Sequence, residues 1–112
     1  MIDGTPYLEG FGMAPRCQAS MHHTPVPLRY VWHHIQPRVC GGPTTAANLV
    51  SVCDCCHYSI HALLWATKVG GGTISGPLSR LADTRRGQLA ARGYAAAVAA
   101  GTVDQIPNEG IE

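Results

Sequence analysis

Charge is scarce in this chain. Only 13% of its 112 residues are Asp, Glu, Lys or Arg, and the formal net charge is +1. The clear basic excess that marks many nucleic-acid binders is therefore absent in bulk. Long apolar runs are missing too: none reaches the roughly 18 residues of a membrane span. The stretch from Met1 to Pro15 lacks the charged start and apolar core of a secretory signal. A cytoplasmic protein without a membrane partner is the expectation. What the chain does have is glycine, proline, cysteine and histidine: 13 Gly, 8 Pro, 5 Cys and 6 His. The first two imply much turn and loop. An odd cysteine count, with most thiols beside histidines, fits metal binding better than a disulfide framework. Many of the apolar residues are alanines that bury little area, so something besides apolar packing is expected to help hold one domain of about 100 residues together.

The punctuation divides the chain into five stretches. Residues 1–15 read as an irregular N-terminal segment, broken by Gly4, Pro6, Gly10, Gly12 and Pro15. Residues 16–69 form the expected core. In it, Cys17 to His23 is a polar knuckle, and Arg29 to Ile35 is rich in β-branched and aromatic residues, which predicts a strand ended by Pro37. Gly41-Gly42-Pro43 marks a loop from Arg38 to Ala47, and Leu49 to Val52 predicts a second strand. A helix is expected from Asp54 to Lys68, capped by Asp54, with Ile60, Leu63, Leu64 and Thr67 on one side and His57 and His61 one turn apart. Residues 70–77 read as a Gly-rich linker. Residues 78–101 predict a second helix with Gly101 as its C-cap, and residues 102–112 a loose tail. Arg80, Arg85, Arg86 and Arg92 meet only Asp83 in their stretch, a basic segment that is either a solvated face or a contact to nucleic acid. Trp32 and Trp65 are expected to be core aromatics.

Two sets of side chains carry metal chemistry. His33 and His34 end a strand, while His57 and His61 share a helix, and neutral imidazole is a good ligand for a divalent ion. A histidine beside such an ion can also serve as a general base, since its ordinary pKa is about 6.5. Cys53 and Cys56, two residues apart, form the usual half of a tetrahedral zinc site. Strand, loop, strand and helix would bring the nitrogen-rich and sulfur-rich sets together.

The run Trp32-His33-His34-Ile35-Gln36-Pro37, then Gly41-Gly42, then Asn48 through His57, and finally Ile60-His61, resembles the HNH nuclease family. The resemblance covers about thirty residues. It implies a small α+β fold with a ββα-metal core, a structural zinc knuckle and an additional C-terminal helix. It also implies roles: His34 as general base, Asn48 bracing the loop so that the base is aimed, and His33 and His57 as ligands of a catalytic ion. His33 stands where the family often has an acidic residue. Two neutral histidines favour a softer ion than magnesium, so Mn²⁺, Ni²⁺, Co²⁺ or Zn²⁺ join Mg²⁺ as candidates. Adjacent strand residues point to opposite faces, so both His33 and His34 serve one site only if the strand ends or twists there. His61 stays open as a third ligand, a phosphate contact or a half-buried packing residue. Arg38 is a phosphate contact or a solvated arginine.

Many family members hold a structural zinc with two Cys-x-x-Cys pairs. Here the second pair is intact as Cys53 and Cys56, but Cys17 is followed three residues on by Ser20. The resemblance then implies a site of Cys17, Cys53, Cys56 and either His22 or His23, with His22 preferred. The alternative is that these cysteines only pack. Cys40 and Cys55 fit neither set. The implied activity is DNA phosphodiester hydrolysis. The chain also resembles small stand-alone HNH proteins of tailed bacteriophages, often associated in that family with the DNA-packaging terminase, which would make the terminase large subunit a partner and the host cytoplasm the location. A competing expectation is a catalytically silent zinc module that binds DNA or a protein. A redox role for Cys53 and Cys56 is disfavoured, because no thioredoxin-like strand-helix context surrounds them.

Overall fold

The computed structural model describes residues 5–19, 29–74 and 76–107. The elements are β1 (Tyr7–Leu8), β2 (Gly12–Met13), β3 (Tyr30–His34), β4 (Leu49–Cys53), α1 (Asp54–Val69) and α2 (Arg85–Ala100), a small α+β arrangement. No helix among the described residues is long and apolar enough to cross a membrane.

The aromatic and β-branched run Tyr30-Val31-Trp32 supplies the extended preference of β3. It pairs antiparallel with β4, in a register running from Tyr30↔Cys53 to His34↔Leu49. α1 starts at once after β4. Its N-cap is Cys53, whose sulfur accepts from the Cys56 N–H, so the cap expected at Asp54 lies one residue earlier. Asp54 instead occupies the first helical turn, and its carboxylate accepts from the Cys55 N–H. Ile60, Leu63, Leu64 and Thr67 are all buried, on the apolar side of α1 that the spacing marked.

Residues 5–14 are not irregular. β1 and β2 form a two-stranded hairpin, with Gly10 at φ 88° and Gly12 at φ 81°. In that left-handed region glycine is the natural choice, so Gly10 makes the turn and Gly12 opens the returning strand, rather than either breaking a period. The hairpin lies against the outer edge of β3. Trp32 donates from its backbone N–H to the Thr5 carbonyl (2.8 Å) and from Nε1 to the Gly12 carbonyl (2.9 Å). Phe11 meets the Trp32 ring edge-on at 6.1 Å. Trp32 is thus a half-buried tether for the hairpin, outside the main apolar cluster. The outer edge of β4 is covered by Gln18, whose N–H donates to the Ser51 carbonyl and whose Oε1 accepts from the Ser51 N–H. Both edges of the small sheet are therefore blunted.

The second helix begins at Arg85, not at residue 78. Residues Gly76–Leu81 form a 3₁₀ turn, and Thr84 caps α2 by accepting from the Gly87 N–H. Gly101, at φ 71°, ends it. α2 runs in the same direction as α1: Arg86 reaches Ser59, Gly93 lies against Leu64, and the end of α1 meets the chain after α2 through Lys68. α2 approaches the end of β3 closely at Gly93, where a Cβ would lie 2.4 Å from the Ile35 carbonyl oxygen. The chain after α2 is docked rather than loose as far as Ile106. Thr102 donates to the Cys40 carbonyl (2.8 Å), Lys68 donates to the carbonyls of Asp104 and Ile106, and Ile106 is buried. The core joins Val31, Ile35, Val50 and Val52 of the strand layer to Ile60, Leu63 and Leu64 of α1 and Leu89, Ala90 and Ala97 of α2.

Candidate metal centres

His33 sits fourth in β3 and turns toward α1. It is 1% exposed, and neither ring nitrogen has a hydrogen-bond partner. The helical spacing of His57 and His61 puts both rings over it, with centroids 5.1 and 5.3 Å away. His57 and His61 are themselves 3.1 Å apart between their Nε2 atoms, so one nitrogen donates and the other accepts. One nitrogen from each of the three histidines falls within 4.8 Å of the other two. Burial holds the His33 imidazole well below its ordinary pKa, and the nearby His61, His57 and His34 push it the same way. A neutral ring with two buried, unsatisfied nitrogens is costly on its own. As a ligand to a divalent cation the same ring is well placed, so the residues present fit such an ion.

His34 belongs to the other side of the strand. It is buried, and its Nε2 is 2.9 Å from Thr44 Oγ1. The structure therefore gathers His33, His57 and His61 and leaves His34 outside their cluster, as the two-residue period of a strand requires. Thr44 was not singled out in the sequence; a lone threonine in a loop gives no local signal. Asn48 closes the intervening loop. Its Oδ1 accepts from the Gln36 N–H (2.9 Å), and its Nδ2 donates to the carbonyls of Gln36 (3.1 Å) and Pro43 (2.9 Å). Its own carbonyl accepts from the Ile35 N–H. Arg38 is exposed in a 3₁₀ turn of the same loop, which ends at the buried Cys40.

The second cluster lies where β4 meets α1. Cys17 is half-buried, Cys53 and Cys56 are buried, and the three sulfurs fall within 4.8 Å of one another. Cys17 is delivered by its neighbours: Gln18 pairs with Ser51, and the Ser51 hydroxyl bonds to the Arg16 carbonyl. Burial pushes the thiols of Cys53 and Cys56 up, and for Cys56 the adjacent Cys53 and Cys17 add to it. Three crowded thiols give up their protons together to a zinc ion far more readily than singly to water, so this donor set also fits a metal. His22 and His23, expected to supply the fourth ligand, lie outside the described residues. Cys55 is exposed and Cys40 is fully buried; neither joins a cluster.

Fold and donor sets together define a small α+β protein with two metal-competent clusters, one of nitrogen and one of sulfur. The model of the HNH endonuclease family matches residues 15–63, the stretch that holds His33, His34, Asn48, His57, His61 and all three clustered cysteines. No curated protein and no solved structure matches the chain.

Proposed function

We propose that this protein is a metal-dependent endonuclease that hydrolyses phosphodiester bonds in DNA. The observation that carries the reading is the buried, unsatisfied His33 beside His57 and His61, inside the residues that match the HNH family. His33, His57 and His61 would hold one divalent ion, with His61 a full ligand. When bound, that ion supplies stabilisation of charge on the phosphate and on the leaving oxygen. Three neutral imidazoles suit Mn²⁺, Co²⁺, Ni²⁺ or Zn²⁺ better than Mg²⁺. His34 takes the proton from the attacking water, held by Thr44 at Nε2. Asn48 fixes the loop that carries Thr44, and Arg38 contacts a phosphate. Cys17, Cys53 and Cys56, with His22, hold a structural zinc.

One observation favours a second reading, a silent zinc module: His34 is 4% exposed. Incubating supercoiled plasmid with the protein across Mg²⁺, Mn²⁺, Co²⁺, Ni²⁺ and Zn²⁺ decides between them. The endonuclease reading expects ion-dependent nicking that His34→Ala abolishes. No nicking with any ion, or nicking unchanged by the substitution, refutes it. The partner suggested by the family resemblance is a bacteriophage packaging terminase, with the host cytoplasm as the location. Co-purification with a cognate large subunit tests the partner, and failure to associate removes it.

A further inference from the structure

The parallel course of α1 and α2 has an electrostatic result: both helix N-termini, the positive ends of their dipoles, lie toward the same edge of the molecule. Arginines collect there. Arg16 and Arg85, far apart in sequence, line one cleft of 330 Å³ with Cys17 and Gln18. Arg86 reaches across to Ser59 Oγ at 3.5 Å, and the Arg29 carbonyl accepts from the Asp54 N–H at the start of α1. Three of the chain's eight cationic side chains thus belong to this edge, with the backbone of Arg29 beside them, although the net charge is only +1.

Arg85 and Arg86 are also electrostatically wrong for their own helix. They fill the first two positions of α2, whose first turn has no acidic residue, where a cation opposes the helix dipole. No carboxylate among the described residues pairs with Arg16, Arg85 or Arg86. The nearby Asp54 is turned to the Cys55 N–H of its own helix. Two guanidinium forks lining one cleft, neither paired with a carboxylate among the described residues, match the oxygens of phosphate groups. The cleft adjoins the cysteine cluster through Cys17, and Cys56 of that cluster directly precedes His57 in α1.

We propose that this edge binds the phosphodiester backbone of DNA, with Arg16 and Arg85 as the paired phosphate contacts and Arg86 beside them. The inference rests on the endonuclease reading and adds where the substrate strand is held. Binding of a fluorescent DNA duplex by the full-length protein, measured against salt concentration in a His34→Ala background, tests it. The double variant Arg16→Gln, Arg85→Gln should bind at least roughly tenfold more weakly for any sequence, with the salt slope reduced by about 2, near 0.9 for each phosphate released. Replacing both by lysine should restore the slope. Arg85→Glu should weaken binding while the melting temperature holds or rises, since an acidic residue suits a helix start. Unchanged affinity and slope in the double variant, beside a parent that binds DNA, would overturn the inference and leave the endonuclease reading standing. A drop in melting temperature in Arg85→Glu would assign Arg85 a structural role and overturn it as well. A parent protein that binds no DNA would remove both.

Discussion

Replacing His33 with leucine should make the ion-free protein more stable and the ion-loaded protein less so. The side chain is fully buried, and both ring nitrogens lack a hydrogen-bond partner. A buried unsatisfied polar group costs on the order of 1–3 kcal/mol. Leucine has similar bulk and no polar atom, so the ion-free variant should gain about 1–3 kcal/mol. Ion binding reverses the order. At about 100 times its Kd, a ligand of the folded state adds about 2.7 kcal/mol. For a chain of 112 residues, with unfolding entropy of about 2.1 cal/mol/K per residue, that gain is roughly 11 °C in Tm. The variant keeps only His57 and His61 and should shift by less than half as much. Melts followed by far-UV circular dichroism, with chelator and then with Zn²⁺, Ni²⁺ or Mn²⁺, read both effects. The cysteine cluster is intact in both proteins, so the difference between their shifts isolates the histidine site. An ion-free variant that loses more than about 1 kcal/mol, together with a full ion-induced shift, would refute the reasoning.

In the ion-free protein, the lowered His33 pKa has a defined sign. The unfolded chain binds a proton below about pH 6.5 that the folded chain does not, so stability is complete above that pH and falls as the pH drops, by up to about 1.4 kcal/mol per unit. Urea titrations at pH 5 and pH 7 should show this loss in the wild type and less of it in His33→Leu; equal losses would exclude His33 as the source. Thr44→Val removes the hydroxyl that meets His34 Nε2. Plasmid nicking should fall by roughly tenfold, the equivalent of about 1–1.5 kcal/mol, with recovery in Thr44→Ser; an equal effect of both substitutions would argue against the contact. Gly93→Ala would place a methyl 2.4 Å from the Ile35 carbonyl oxygen, forcing α2 away from the end of β3. A loss of about 1–3 kcal/mol in urea unfolding is expected, despite the better helix propensity of alanine; a gain would mean that α2 does not pack there.

The elements that hold the histidines were legible to within about a residue, because their signals are local. β3 was expected at residues 29–35 and spans Tyr30–His34; α1 was expected at 54–68 and spans Asp54–Val69. The hairpin escaped because two strands of two residues each carry no periodic pattern, and their glycines look the same whether they make a turn or interrupt one. The start of α2 is hidden in the sequence because helix formers precede it, while its determinant is one capping threonine, Thr84. By propensity alone, Gly87 and Gly93 weaken a helix. In the fold they are close approaches, where a Cβ would meet the Leu81 and Ile35 carbonyls.

The division between His33 and His34 could not come from sequence, since it depends on which face of β3 is covered by α1. Once that packing is set, strand alternation assigns the rest. The face toward α1 receives His33, and helical spacing brings His57 and His61 to meet it. The opposite face gives His34 to the loop, where Thr44 meets it and Asn48 ties the loop to Gln36 and Pro43. The junction of β4 and α1 fixes both arrangements. Cys53 pairs with Tyr30 in the sheet, caps α1 with its sulfur, and contributes that same sulfur to the cysteine cluster. An ion held at the cysteines would therefore set the angle and register of α1 against β3, and with them the separation of His57 and His61 from His33. With an ion bound, the sulfur set would need no part in the chemistry to matter for it, because it would clamp the joint from which two of the three clustered histidines project.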